Sequence, residues 1–275
     1  MRRFDSHIHL FEHGFGGDRP AGAELVQYER LRTVAGIDAA LVVAYEGQGF
    51  AGNNAYVLEL AAVRGWIIPF VYLHLPGSGA EGVVPPGSVQ KQVEKAIAGG
   101  ARGLALYVEP GSGDLADVPR SAWTVIEESG AALSVNAQAR VWAEAKSWLS
   151  AHNVPVLVSH LGLPGPGSAA EGGVNEDMLQ PVLALAEFPH VAVKLSGAYA
   201  IDPRAPHVGA APVVRRILDA FGTERVCWGS DFSPALTAVD ETAMLALPAG
   251  TEGLTDAERD AILGGNLRRL LSVTT

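Results

Sequence analysis

An alternation of short apolar runs with longer amphipathic segments repeats along this chain and constrains its fold more than any other feature. Eight apolar runs have the length of strands, at residues 3–10, 39–45, 67–73, 103–108, 132–137, 154–160, 191–196 and 225–230. Segments with helical periodicity follow them, at residues 24–34, 54–64, 88–98, 121–129, 141–152, 176–188, 212–221 and 255–271. Near-continuous apolar strands, such as the one that begins at Ala39, are typical of parallel strands that helices cover on both faces.

Eight strand–helix units in 275 residues favour a closed (β/α)₈ barrel, a TIM barrel of the α/β class. An open doubly wound sheet would have edge strands and would usually carry a glycine-rich phosphate-binding turn, which this sequence lacks. The sequence shows no sign of a domain boundary, so residues 1–275 are predicted to form one domain.

Local signals mark several helix ends and loops. Ser88 and Thr255 are predicted N-caps, with Glu258 spaced to complete a capping box, and Gly99 and Gly130 are predicted helix stops. Three stretches rich in Gly and Pro follow strands, at residues 12–23, 77–87 and 163–173. In a barrel they would lie over the C-terminal mouth, and we expect the first and third to cover a site there.

The charge and the cysteine content restrict the partners and the compartment. A net charge of −10 argues against nucleic acid and anionic membranes as partners, which favours a small-molecule substrate and leaves homodimer formation open. The single Cys227 excludes internal disulfides, and the first residues do not resemble a signal peptide. Because no apolar run reaches transmembrane length either, the sequence predicts a soluble cytoplasmic protein.

Polar side chains lie on or directly after three of the predicted strands. His7 and His9 are two residues apart on the first strand, so their imidazoles project from the same face, as a pair of metal ligands would. His160 ends the sixth strand, and Asp231 follows the eighth. Each also has an ordinary interpretation, as a core histidine or a helix N-cap. Because all four would meet at one barrel mouth, the sequence predicts a metal or catalytic site.

Five segments are distinctive: FDSHIHLF (4–11), NVPVLVSHLG (153–162), VKLSG (193–197), FGTERVCWGSDF (221–232) and ILGGNLRRL (262–270). In this order they resemble the signature segments of the amidohydrolase superfamily. They are most similar to its branch of sugar-lactone and pyrone-dicarboxylate lactonases and aminocarboxymuconate-semialdehyde-type decarboxylases. The resemblance implies that His7, His9, His160 and Asp231 are metal ligands or their retained remnants. It also implies that Asp231 handles the proton of the attacking water.

Two departures from the family pattern narrow the implied chemistry. A dinuclear member would carry a carbamylated lysine or a carboxylate on strand four, which here reads GLALYV (103–108) in a chain with only four Lys. One divalent ion is therefore expected, with zinc as the first choice, although some similar lactonases work without tightly held metal. The decarboxylases carry a histidine on strand five, where this chain has Asn136, and this difference favours the lactonases.

The sequence predicts an enzyme that opens a lactone or a related cyclic ester. Asp231 is the expected general base, and His160 is expected to be a fourth metal ligand or a donor to the carbonyl oxygen. A non-oxidative decarboxylase of a small carboxylic acid is the first alternative. The second is a degenerate barrel that binds a small molecule or catalyses a non-hydrolytic biosynthetic step.

Residues at or after strand ends are the predicted substrate contacts. They are Asn136, Lys194, His74, Tyr107, Tyr199 and Arg204, with Tyr45, His207 and Arg19 as further rim candidates. No cluster of arginines occurs at the strand ends, which argues against a di- or tricarboxylate substrate. A neutral or singly charged cyclic ester is the expected substrate.

Overall fold

Eight parallel strands form a closed barrel in the computed structural model, which describes residues 2–47, 49–76, 84–85, 87–108, 118–165 and 174–272. The strands pair in sequence order and are β1 (Arg3–Ile8), β2 (Ile37–Val43), β3 (Ile67–Tyr72), β4 (Gly103–Val108), β5 (Ala132–Ala137), β6 (Val156–Val158), β7 (Val191–Leu195) and β8 (Val226–Trp228). The predicted TIM barrel of the α/β class is confirmed.

Helices connect successive strands along the outside of the barrel. They are α1 (Ala23–Ala35), α2 (Asn53–Val63), α3 (Ser88–Ala98), α4 (Arg120–Ser129), α5 (Ala139–Ala151), α6 (Glu176–Ala184) and α7 (Ala211–Phe221). After β8 come α8 (Glu241–Met244), α9 (Asp256–Asp260) and α10 (Asn266–Leu270). In the part of the chain that the structure describes, no helix is long and apolar enough to cross a membrane.

Two of the predicted local features are wrong, although β4, β5 and α3 have the predicted bounds. The last helix is not continuous, because a π-helical turn at Ala261–Gly265 separates α9 from α10. Gly264 in this turn packs so closely on the chain before β1 that an added Cβ would lie 2.7 Å from the Arg2 carbonyl oxygen. Ser88 is not an N-cap but the first residue of α3, and its hydroxyl donates to the Pro85 carbonyl at 2.8 Å. The predicted capping box at Thr255 is present.

Apolar side chains pack on both faces of the strands. Along β2, Leu41 and Val43 belong to a cluster inside the barrel that draws members from all eight strands. The alternate residues Ala40 and Val42 pack outward, against α1 and α2 side chains such as Tyr28. Burial on two faces explains why these strands appear in the sequence as continuous apolar runs.

The barrel closes where the first strand meets the last, at a contact that we call the β1–β8 seam. The Asp231 backbone N–H donates to the His7 carbonyl at 2.8 Å, and the His9 N–H donates to the Phe232 carbonyl. Below them, the buried Asp5 carboxylate accepts a hydrogen bond from the Ser230 N–H at 2.9 Å, across 225 positions of sequence. The residues of the predicted site therefore lie on the two segments that close the barrel.

Gly103 begins β4 at a place where the barrel has no room for a side chain. A Cβ here would lie 2.4 Å from the Ala132 carbonyl oxygen and 2.3 Å from a ring carbon of Phe70. We expect Gly103→Ala to lower the free energy of unfolding by about 2 kcal/mol, the usual cost of overpacking a core. Chemical denaturation measures this change, and Gly65→Ala, with no atom within 4 Å of the new Cβ, is the control. Equal stability of the two variants would contradict the expectation.

Candidate active site

Four polar side chains from three strands converge at the C-terminal mouth of the barrel. His7 lies on β1 and His9 directly follows it, while His160 and Asp231 follow β6 and β8. The Nε2 atoms of His7 and His9 are 3.1 Å apart, and His7 Nε2 is 3.7 Å from Asp231 Oδ1. His160 Nδ1 is 3.7 Å from Asp231 Oδ2. All four residues are buried, and the structure brings them together as the sequence analysis expects.

A chain of hydrogen bonds orients the first two histidines from behind. His9 Nδ1 lies 2.7 Å from the Val43 carbonyl oxygen, so this nitrogen carries the proton and donates it. His9 Nε2 then faces His7 Nε2 at 3.1 Å, and His7 Nδ1 lies 3.0 Å from Lys194 Nζ. Lys194 also donates to the Ser134 hydroxyl at 2.6 Å. Such supporting contacts fix the ring orientation of histidines before a ligand binds.

Burial controls the charge of the site. It lowers the pKa of His9 to about 4 and that of His160 to about 3, and it holds the pKa of His7 well below its usual value. Burial also lowers the pKa of Lys194 to about 7. For Asp231, burial raises the pKa to about 6, while His9, the Tyr199 hydrogen bond and Lys194 favour the charged form. At neutral pH and above, the site therefore combines neutral imidazoles with an ionised carboxylate.

His160 and Asp231 both have a left-handed backbone, with φ of 52° and 58°. Few residues other than glycine adopt this conformation, and backbone strain of this kind clusters at functional sites. Both side chains are held by the segment after β7. Tyr199 donates to Asp231 Oδ2 at 2.5 Å, and the Ser196 hydroxyl lies 3.0 Å from His160 Nδ1.

A cavity of about 360 Å³ opens onto these residues. His9, Asn136, His160 and Asp231 supply its polar surface, and the rest of its lining is Phe11, Phe15, Tyr45, Phe50, Tyr107, Tyr199 and Pro234. The rings pack closely, with the centroids of Phe11 and Phe50 at 4.4 Å and those of Tyr45 and Tyr107 at 4.8 Å. An apolar cavity of this size with a few convergent polar groups is typical of a small-molecule site.

Some of the predicted substrate contacts line this cavity and others do not. Four of them line it: Asn136, Tyr45, Tyr107 and Tyr199. His207 instead lines a second, mostly apolar cavity on the other side of Tyr199. Arg19 lies in the first loop, where it donates to the Gln27 side chain at 2.9 Å.

Three other predicted contacts need correction, because they lie outside the lining of the cavity. His74 pairs with Glu46 at 2.9 Å, and the exposed Arg204 pairs with Asp202 at 3.3 Å. Lys194 is fully buried behind His7. A side chain near a strand end can point into the barrel mouth or away from it, because successive residues project to opposite faces of the strand.

The phenylalanines of the lining, Phe11, Phe15 and Phe50, were not predicted from the sequence. Phe11 and Phe15 donate backbone hydrogen bonds to the carboxylate of Glu24, at 3.0 and 2.7 Å, and this carboxylate also accepts from the Ser233 hydroxyl. Glu24 lies on the buried face of α1, four residues before Tyr28, so an acid within an apolar stripe was the available signal. Of the loops expected over the mouth, residues 77–83 and 166–173 lie outside the described residues.

The donor set fits one divalent metal ion. Ligand atoms of His7, His160 and Asp231 all lie within 4.8 Å of one another. The 3.1 Å between the Nε2 atoms of His7 and His9 is close to the ~3.3 Å separating two imidazoles on one tetrahedral zinc. Within β4 (Gly103–Val108), no side chain offers a carboxylate or an amine that could bridge to a second ion.

A family model described as Amidohydrolase matches residues 4–273. This match covers nearly the whole chain, and the chain belongs to the amidohydrolase family, as the resemblance of its motifs implies. The chain is similar to the 4-sulfomuconolactone hydrolase of Hydrogenophaga intermedia, at 32% identity over 85 residues. That match spans 30% of this chain and only 26% of the length of the relative.

Solved structures share the fold over the full length of the chain. An amidohydrolase from Burkholderia multivorans with bound HEPES has a TM-score of 0.78 at 21% identity, with 100% of both chains covered. A second crystal form of that protein contains zinc and has a TM-score of 0.75. A proposed 2-pyrone-4,6-dicarboxylic acid hydrolase from Pseudomonas putida has a TM-score of 0.76 at 22% identity, covering 98% of this chain and 97% of its own. At these identities the similarity establishes the fold.

Proposed function

We propose that this protein is a hydrolase that opens a lactone or a related cyclic ester with the help of one divalent metal ion. The observation that carries the proposal is the convergence of three neutral imidazoles with the ionised Asp231, because His9, His160 and Asp231 line one aromatic cavity and His7 lies directly behind them. Ester hydrolysis needs an attacking water, a base for its proton and a positive or donor group at the carbonyl oxygen. The four side chains supply the base and the groups that bind oxygen.

Each residue has a role in this proposal. His7, His9 and Asp231 would hold the ion, with His160 as a fourth ligand or as a donor to the carbonyl oxygen. When bound, the ion supplies Lewis-acid polarisation and makes water more acidic. Asp231 accepts the proton of the attacking water, and its Oδ2 also accepts a hydrogen bond from the Tyr199 hydroxyl. Tyr199 thereby keeps the carboxylate in one orientation.

The names of two relatives support this substrate class, since a sulfomuconolactone and a 2-pyrone are both lactones. Decarboxylation has less support. The decarboxylases that the motifs resemble carry a histidine on strand five, whereas Asn136 stands at the end of β5 and lines the cavity. An amide can hydrogen-bond a substrate oxygen, but it is a poor metal ligand and carries no titratable proton.

We expect lactone hydrolysis that depends on one equivalent of metal per chain, because only one set of convergent ligands exists among the described residues. The test is a panel of neutral lactones, assayed by acid release before chelation, after chelation and after addition of zinc. Elemental analysis of the same samples gives the stoichiometry. Activity that requires two equivalents, or carbon dioxide release from aromatic acids without any lactone turnover, would contradict the proposal.

His9→Asn and His13→Asn form a matched pair for this experiment. The first removes a ligand nitrogen, and we expect it to lower zinc affinity in competition with a chromophoric chelator. The second changes an exposed histidine of the first loop, outside the cavity, and should bind zinc like the unmodified protein. Equal zinc affinity of the two variants would remove His9 from the ligand set.

A further inference from the structure

The second cavity, beside the active site, has a volume of about 330 Å³ and a different lining. Apolar side chains form most of its wall, from Leu195 at the end of β7, from Val239, and from Met244 and Leu247 in and after α8. Among the described residues that line it, none is Asp, Glu, Lys or Arg. Cavities of this volume hold small organic molecules, so this lining favours an uncharged and largely apolar ligand.

Tyr199 separates the second cavity from the active site. Among the described residues it is the one that lines both cavities, and its hydroxyl donates to Asp231 Oδ2 at 2.5 Å. On the side of the second cavity its ring faces His207, with 6.3 Å between the ring centroids. None of the four convergent residues lines the second cavity. Binding there therefore needs none of the proposed metal ligands.

The outer wall of the second cavity is held in place by side chains of the first and last strands. The Arg3 guanidinium on β1 donates to the Leu245 carbonyl at 2.7 Å, and the Trp228 indole N–H on β8 donates to the Ala246 carbonyl at 3.1 Å. Both carbonyls belong to the segment between α8 and Leu247. The apolar wall is therefore fixed to the barrel, and the cavity is formed before any ligand binds, as is usual for small-molecule sites.

His207 adds one polar group without a partner to this apolar lining. Its Nδ1 lies 2.5 Å from the Asp202 carbonyl oxygen, so Nδ1 carries a proton and donates it. In the neutral ring Nε2 is then an acceptor. This Nε2 is buried and has no hydrogen-bond partner among the described residues. Because an unpaired buried polar atom costs free energy, a ligand that supplies a hydroxyl or N–H group at this wall gains from the pairing.

The loop that carries His207 is built around Asp202. The Asp202 carboxylate accepts hydrogen bonds from the Gly209 N–H at 2.8 Å and from the Arg204 N–H at 3.1 Å. His207 itself has a left-handed backbone, with φ of 60°. Strain of this kind persists only where the surrounding bonds impose it, and it clusters at ligand sites. The loop therefore holds the imidazole at the cavity by several bonds.

We propose that the second cavity is a binding site for a small uncharged molecule of one or two rings that carries one hydrogen-bond donor, such as a phenol. Its rings would pack against the apolar wall and Tyr199, and its hydroxyl would donate to His207 Nε2. Val208 lines the cavity and is 61% exposed, so it gives the entrance an apolar rim. The proposal depends neither on the metal nor on lactone hydrolysis.

Binding of 2-naphthol to the whole protein, followed by fluorescence and calorimetry, tests the proposal. We expect binding that is unchanged by a chelator. Ala243→Phe adds a ring at an exposed residue that lines the cavity, and it should weaken this binding by about 10-fold or more. Thr242→Phe adds the same ring one position earlier on α8, outside the lining, and should bind like the unmodified protein. Equal affinity of the two variants, or no binding at all, would overturn the proposal.

A second compound tests the hydrogen bond to His207. 2-Methoxynaphthalene keeps the rings and the oxygen of 2-naphthol but has no donor, and we expect it to bind about 10-fold more weakly. His207→Asn tolerates the left-handed backbone and keeps a donor for the Asp202 carbonyl, but it removes Nε2. In this variant the two compounds should bind equally. A preference for 2-naphthol that persists in His207→Asn would overturn the proposal.

A third variant assigns the binding to one of the two cavities, because 2-naphthol can also enter the aromatic active site. Asn136→Trp adds an indole at a residue that lines the active-site cavity and not the second one. We expect the binding that Ala243→Phe removes to persist in Asn136→Trp. Loss of all binding in Asn136→Trp, with none lost in Ala243→Phe, would place the compound in the active site alone and overturn the proposal.

Discussion

Asp231→Asn is expected to lower kcat by about 10² to 10⁴, the usual size of a general-base contribution, with little change in the thermal midpoint. Asparagine keeps the shape of the side chain and can still accept the hydrogen bond that Tyr199 donates. Asparagine also tolerates the left-handed backbone that residue 231 adopts, at φ 58°. The variant therefore removes the base, together with one charged ligand of the proposed ion, while it preserves the structure around it.

Asp240→Asn is the control for this experiment. Asp240 caps α8 by accepting a hydrogen bond from the Ala243 N–H at 2.8 Å, and asparagine caps helices equally well. We expect its kcat and thermal midpoint to match those of the unmodified protein. If Asp231→Asn instead keeps most of its activity and unfolds at a much lower temperature, Asp231 is a structural residue and the catalytic assignment is wrong.

Lys194→Met is expected to reduce activity and zinc affinity by about 10- to 100-fold without a loss of stability. The Lys194 side chain orients His7, because its Nζ lies 3.0 Å from His7 Nδ1, and loss of such a supporting contact typically has an effect of this size. Burying an amine is costly, so an apolar side chain of similar volume should maintain or raise the free energy of unfolding. Thermal melting, zinc titration and steady-state kinetics measure the three quantities.

Lys146→Met provides the matched control. Lys146 lies on α5 and pairs with Glu187 at 2.8 Å on the surface, so its replacement should change neither zinc affinity nor kcat/KM. Unchanged kinetics and zinc affinity in Lys194→Met would show that His7 needs no support from Lys194. A large loss of stability in Lys194→Met would instead identify the lysine as part of the structural core.

The strands and the four convergent residues were predictable because they follow from local pattern. Continuous apolar runs indicate parallel strands, and the C-terminal ends of such strands meet at one mouth whatever the details of packing. That rule alone brings His7, His9, His160 and Asp231 together. It also accounts for Asn136, which lies one residue before the end of β5, a strand with the predicted bounds.

The aromatic lining was beyond reach of the same reasoning. Phe11, Phe15 and Phe50 lie in loops; Glu24 binds the backbone of the first two, and Phe50 packs against both of their rings. The contacts of the Lys194 side chain could not be predicted either, because a strand pattern indicates that a residue is buried but not which neighbour its amine contacts. Pairwise hydrogen bonds between distant segments leave no periodic trace in a sequence.

Because of the β1–β8 seam, the site cannot form before β8 has been synthesised. During synthesis, a nascent chain that lacks β8 already contains the three histidines but neither Asp231 nor the backbone hydrogen bonds between β1 and the segment after β8. A site that uses all four residues can therefore form only after β8 has joined β1. A ligand that binds only the closed barrel adds its binding free energy to that closure, so its concentration sets how rarely the barrel reopens at this seam.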